Sequence, residues 1–283
     1  MSKLHQIQFT LPGDKADEGT LFLGQHARHG WEETLLPHDR MRYTIHMEDK
    51  SLARELTGRI QALWPEAGVV CEDTLSQNWA MAWKDFFTPV TCGERFEILP
   101  PWLSHEAHGN LTPIIIEPKM AFGTGHHATT ALCLEAIAEL KEAGKLPSEG
   151  EFLDLGTGSG ILGIGLAKLG LHGLGLDIDP QAVVCAVENT ALNQVEDRLR
   201  LAVGGLEYLA ADTRFSLIVA NILSGPLIEL APGLVSRLAP GAPLMLSGIL
   251  GEQVPAVSRA YEALGMPAPR VKTRQEWAAL VWD

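Results

Sequence analysis

Cysteine is scarce in this chain of 283 residues: Cys71, Cys92, Cys133 and Cys185 are scattered, with no Cys-x-x-Cys pair. That spacing excludes a disulfide framework or a cysteine zinc site and reads as reduced thiols of a cytoplasmic protein. Long apolar runs are also missing. No stretch approaches the ~18 uninterrupted apolar residues of a membrane span, and the most apolar part, 161–176, is broken by Lys168 and His172. The opening Met-Ser-Lys-Leu-His-Gln lacks a basic region followed by an apolar core, so no signal peptide is expected. Positive charge is in deficit, 22 Lys and Arg against 35 Asp and Glu, for a formal net charge of -13. Such a balance argues against direct nucleic-acid binding and favours a cationic partner. A nucleophile elbow and an HExxH pair are absent too, so hydrolysis lacks support.

What is present suits an ordinary globular protein: 46% hydrophobic and 20% charged residues, in a length that allows one large or two modest domains. Over the first ~75 residues, strand patterns at His5–Leu11 and Trp31–Leu36, with a helical or irregular piece between them, and at Met41–Met47 precede a helical repeat at Ser51–Trp64 stopped by Pro65. Strand character resumes at Gly68–Cys71, giving the β-α-β-β-α-β order of a small α+β ferredoxin-like domain over 1–75. A sheet this small, without a dense polar cluster, suits partner recognition better than chemistry. Residues 76–112 are expected to be a linker: Trp79, Trp83 and Phe86 share one helical face, and Pro89, Pro100 and Pro101 follow. Docking between domains and simple core packing both fit that aromatic face. Over 113–283 strands and helices alternate regularly, which predicts a doubly wound, mainly parallel Rossmann-like α/β sheet. The runs Val271–Thr273 and Ala278–Val281 fit an antiparallel hairpin at its C-terminal edge.

Within that second region, Asp154-Leu-Gly156-Thr-Gly158-Ser-Gly160 follows an apolar strand and opens a helix at Ile161. Glycines in such a turn let a nucleotide lie against backbone at a helix N-terminus. Gly158-x-Gly160-x-x-Gly163 satisfies the dinucleotide pattern, whereas Asp154 with Gly156, Gly158 and Gly160 satisfies the S-adenosylmethionine one. A carboxylate here would repel a pyrophosphate. It suits a ligand that carries an ammonium and a sulfonium, so the methyl donor is favoured over a nicotinamide cofactor. Asp177, ending the run Leu174–Leu176, stands where an acid accepts from ribose hydroxyls in either case.

In an open α/β sheet ligands gather beyond the C-terminal strand ends, which also nominates Gly204-Gly205, Asn221 and Ser247-Gly248. Asn221 closes the apolar strand Leu217–Ala220; its carbonyl could orient an attacking amine, or its side chain could cap the next helix. The loop Phe122-Gly-Thr-Gly-His126-His127-Ala-Thr129-Thr130 could close over a cofactor, with Phe122 against a ring and Thr129 bonding a polar end. No Cys, Asp or Glu joins the paired histidines there, so no metal site is expected.

Four segments together resemble the ribosomal protein L11 methyltransferases of the PrmA type. They are Glu117-Pro-Lys-Met-Ala-Phe-Gly-Thr-Gly-His-His-Ala-Thr-Thr130, Asp154–Gly160, Leu176-Asp-Ile-Asp-Pro180 and Val219-Ala-Asn-Ile-Leu223. The aromatic stretch Asn78–Phe87 and the ending Glu276–Val281 are similar too, while Lys119 stands where many members have Gly. The resemblance implies methylation, by S-adenosylmethionine, of lysine side chains and the N-terminal amine of ribosomal protein L11. It implies cofactor contacts from Thr129, Gly156, Asp177 and Asn221, with Phe122 lining the site and a mobile N-terminal domain holding the substrate. A methyltransferase of another protein or of a small-molecule amine, and a non-enzymatic S-adenosylmethionine sensor, are the alternatives.

Overall fold

The computed structural model describes residues 3–27, 31–37, 40–47, 49–75, 88–118 and 127–283. By its contacts the chain divides into two compact units, Met1–Phe86 and Phe87–Asp283. The aromatic residues Trp79, Trp83 and Phe86 lie outside the described residues, as does Phe122.

In the first unit the elements run β1 (Lys3–Pro12), α1 (Ala16–His26), β2 (Glu32–Leu36), β3 (Arg40–Met47), α2 (Lys50–Leu63) and β4 (Val70–Leu75). The four strands form an antiparallel sheet in the order β2-β3-β1-β4. Alternation decides which face is covered: Ile7, Phe9 and Leu11 of β1, with Tyr43 and Ile45 of β3, are buried against Leu23, Leu56 and Ile60 of the helices. Phe9 stacks on Tyr43 with centroids 4.9 Å apart, and the Tyr43 hydroxyl donates to the Ala16 carbonyl at 2.6 Å. The start of α2 is fixed by Asp49, whose carboxylate accepts from the amides of Ser51 and Leu52.

The second unit begins with three short strands, β5 (Val90–Cys92), β6 (Phe96–Leu99) and β7 (Thr112–Ile115), in a sheet of order β5-β6-β7. They occupy part of the stretch expected as linker. At three or four residues each, with Pro113 inside β7, they are too short to show a strand period in the sequence.

There follow α3 (Ala128–Glu142), β8 (Glu151–Leu155), α4 (Ile161–Lys168), β9 (His172–Asp177), α5 (Pro180–Asn193), β10 (Leu199–Val203) and β11 (Leu217–Asn221). Then come α6 (Ser224–Glu229), α7 (Ala231–Arg237), β12 (Leu244–Leu250), α8 (Val254–Glu262), β13 (Arg270–Arg274) and β14 (Trp277–Trp282). The seven strands are ordered β10-β9-β8-β11-β12-β14-β13, parallel from β10 through β12. This is a doubly wound, mainly parallel α/β sheet. β14 pairs antiparallel with both β12 and β13, so the reversed strand lies inside the sheet and β13 forms the edge. The segment between β11 and β12 is split into two short helices, α6 and α7, because Pro232 at the start of α7 has no amide proton to continue the ladder. Among the described residues, no helix is long and apolar enough to cross a membrane.

Candidate active site

Strand order reverses between β8 and β11, and the crevice of an open sheet forms at such a switch point. There a cavity of about 530 Å³ is lined by Leu155 and Gly156 after β8, Asp177 and Ile178 after β9, and Gly204 to Glu207 after β10. Asn221 to Leu223 after β11, Gly248 in β12, His127 and Thr129 at the head of α3, and Trp277 also line it, as does Gly158.

The turn from β8 to α4 can exist only with its glycines. Gly156, Gly158 and Gly160 have φ of +73°, +56° and +83°, in the left-handed region where a side chain brings strain. A Cβ on Gly156 would also stand 2.3 Å from Ile222 Cγ2. Gly248 is held likewise, since a Cβ there would lie 2.3 Å from the Ile222 carbonyl oxygen. The floor is therefore bare backbone on two sides of Ile222.

The two acids divide the work of shaping this turn. Asp154 does not line the cavity, contrary to the expectation that its carboxylate faces the ligand. It is 1% exposed, and its Oδ2 accepts from the Thr157 hydroxyl at 2.7 Å and the Gly163 amide at 2.9 Å. Turned inward, it ties strand, loop and helix together. Burial pushes this carboxyl up to about 6, against the opposing pull of those two donors. Asp177 is at the rim. Its Oδ2 accepts from the Gly158 amide at 2.9 Å and its Oδ1 from the Asp179 amide at 3.0 Å, and each oxygen keeps a lone pair for a ligand. Beside it Ile178 is 81% exposed, an apolar surface at the mouth.

Behind the turn, α5 holds the glycine loop through amides. Asn189 donates to the Ser159 carbonyl and accepts from the Glu117 amide, at 2.8 and 2.9 Å. One turn on, Asn193 accepts from the Ile115 amide at 2.9 Å and donates to the Ile115 carbonyl at 2.6 Å.

On the opposite wall, Asn221 does not cap the following helix, which starts at Ser224 without a side-chain cap. Its Nδ2 donates to the Thr130 hydroxyl at 3.4 Å, and its Oδ1 is buried with no hydrogen-bond partner among the described residues. Thr129 is fully buried and its hydroxyl meets His127 Nδ1 at 2.8 Å. The His127 ring in turn meets Trp277 edge to face at 4.8 Å.

Of the residues expected at the site, Thr129, Gly156, Gly158, Asp177 and Asn221 come together around one cavity. Sequence reasoning missed His127, Leu206, Glu207 and Trp277 as wall residues. Trp277 starts β14, far from every glycine motif, and only the inward position of that strand brings it here.

Residues 29–283 match the family described as ribosomal protein L11 methyltransferase (PrmA). A ribosomal protein L11 methyltransferase of Trichlorobacter lovleyi is 42% identical over 227 residues, covering 80% of this chain and 72% of that protein. One from Chloroflexus aurantiacus is 35% identical over 289 residues, covering 94% and 85%. Among solved structures, the ribosomal protein L11 methylase of Lactobacillus delbrueckii subsp. bulgaricus superposes with a TM-score of 0.61 at 30% identity, over 69% of this chain and 97% of that one. Sheet order, glycine turn and sequence agree, and the chain belongs to the ribosomal protein L11 methyltransferase family.

Proposed function

We propose that this enzyme transfers methyl groups from S-adenosylmethionine to amino groups of ribosomal protein L11, on lysine side chains and the N-terminal amine. The observation that carries the reading is the Asn221 carbonyl: a buried acceptor without a partner among the described residues, at the wall of the cavity. A buried polar atom left unpaired is costly unless a ligand completes it. An amine donating one N–H to Oδ1 is held with its lone pair directed elsewhere in the cavity.

The residues present fit the methyl donor. Gly156 and Gly248 line the cavity without side chains of their own and let Ile222 pack closely between them, where a Cβ on either would strike it. Gly156, Gly158, Asp177 and Thr129 would hold it, Asp177 through ribose hydroxyls, with Ile178 and Leu206 offering apolar surface to a flat ring. S-adenosylmethionine supplies, when bound, a methyl group on a positively charged sulfur that departs as a neutral thioether. What the chain adds is position and orientation of the amine. A lysine amine, with a reference pKa of about 10.4, must first lose a proton. The apolar wall of Ile178, Leu206, Ile222 and Leu223 disfavours the ammonium form and assists that loss to water.

The division of labour proposed for the chain is a ferredoxin-like recognition domain over 1–75, a linker over 76–112 and a catalytic domain over 113–283. The β-α-β-β-α-β order and the sheet order β2-β3-β1-β4 support the first. The linker's later part, β5 and β6, packs with the catalytic unit. The place of work is the cytoplasm, in keeping with four free cysteines.

The test is transfer of labelled methyl groups to purified ribosomal protein L11, with sites read by mass spectrometry. Wild type should label lysines and the N-terminus. Asn221→Ala should lower kcat at least ~10-fold, about 1.4 kcal/mol, with S-adenosylhomocysteine affinity little changed. Labelling of other proteins but not L11 would overturn the substrate assignment.

A further inference from the structure

Among the described residues, two large apolar side chains of the cavity wall stand in solvent, Ile178 at 81% and Leu223 at 71% exposed. They belong to different ends of the site. Ile178 follows β9 and Leu223 follows β11, two residues after Asn221, with β8 between the two strands, so roughly 10 Å of sheet separates them. In the proposed reaction the ring of the methyl donor takes the Ile178 end, beside Asp177. The Leu223 end is that of the amine acceptor.

Nothing in the described fold calls for a leucine there. Leu223 is the N-cap residue of α6: its backbone is extended, with φ -62° and ψ 152°, and its carbonyl accepts from the Leu227 amide at 3.2 Å. A serine, threonine, aspartate or asparagine in that place could also satisfy an amide of the first turn, which leucine cannot. Burial does not offset the lost cap, because the side chain is mostly in water. The packing is done by its neighbour Ile222, wedged against Gly156 and Gly248. A residue that breaks a local rule without a structural gain marks a functional position.

We infer that Leu223 is a specificity-determining residue that favours lysine side chains over the N-terminal amine. A lysine held at Asn221 brings four methylenes with it, an apolar stem that Leu223 takes out of water. An α-amine brings no such stem. The inference rests on the proposed transfer to both kinds of amine, with Asn221 as the acceptor.

Purified ribosomal protein L11 presents both amines at once, so the ratio of initial lysine to N-terminal labelling cancels differences in docking and cofactor binding. Leu223→Ser removes the apolar contact and supplies a cap. It should lower that ratio at least about fourfold, the worth of one buried methylene, while Tm rises by about 2–4 °C. Leu223→Met, still apolar, should keep the ratio within about twofold of wild type. Leu223 also belongs to the wall that disfavours the ammonium form, and pH separates the two effects. Stem burial is indifferent to the proton, so the deficit of Leu223→Ser should be equal at about pH 7.5 and about pH 9.5; one that fades toward the lysine pKa of about 10.4 assigns the leucine to deprotonation and overturns the inference. An unchanged ratio in Leu223→Ser, an equal loss in Leu223→Met, or a lower Tm in Leu223→Ser overturns it as well, with the proposed function intact. If wild type labels lysines alone, the N-terminal part of the proposed function fails, and lysine kcat/KM in the two variants decides by the same criteria. L11 that takes no label removes the proposed function and the inference together.

Discussion

His127 and Trp277 meet edge to face in the cavity wall, centroids 4.8 Å apart and planes 65° apart, one from the head of α3 and the other from the first residue of β14. The same histidine bonds Thr129, so this wall is a relay of contacts: indole, imidazole, hydroxyl. A double-mutant cycle with His127→Ala and Trp277→Ala should give a coupling of about 0.5–1.5 kcal/mol in unfolding free energy, the range of an aromatic pair beyond its area. Strict additivity in urea titrations would mean that the rings merely stand near one another.

Gly156→Ala imposes two separate penalties. Left-handed backbone costs an alanine about 1–2 kcal/mol, and overpacking against Ile222 Cγ2 costs about 1–3 kcal/mol. The single variant should lose about 2–5 kcal/mol of stability and its affinity for S-adenosylhomocysteine. In an Ile222→Ala background the same substitution should be milder by about 1 kcal/mol or more, because the clashing methyl is gone. An equal loss in both backgrounds would leave backbone strain as the whole cause.

Asp154 predicts a pH dependence of unusual sign for a carboxylate. Burial raises it from 3.8 to about 6, so the folded chain binds a proton more tightly than the unfolded chain does. Its contribution is then fully present below about pH 4 and is lost as pH rises through about 6, a change of about 3 kcal/mol. Asp154→Asn has no such titration. Unfolding free energies of the two proteins, measured from pH 4 to 7.5, should diverge over that window with the wild type losing ground. A constant difference, or one of opposite slope, would exclude this origin.

Much of the catalytic unit could be read from the chain alone because its signals are local. An apolar run, an acid and three glycines announce the β8–α4 turn, and Pro180, suited to a first helical turn, announces α5. The direction of the Asp154 side chain was not legible. It depends on Thr157 and on the Gly163 amide, and an acid before a glycine turn looks alike whether it faces the ligand or the core. Trp277 was legible as a resemblance but not as a wall, since the place of β14 between β12 and β13 is a tertiary fact. The strands β5 to β7 escaped notice because pairing, not period, defines segments of three or four residues.

Asn193 and Ile115 exchange a reciprocal pair of hydrogen bonds, amide to side-chain oxygen and side-chain nitrogen to carbonyl. That is the pattern by which one strand satisfies another. β7 lies at the margin of its sheet, where open peptide groups invite a foreign chain to add on. Here the asparagine serves as a single-residue strand, and a helix closes the margin that would otherwise be a seed for aggregation.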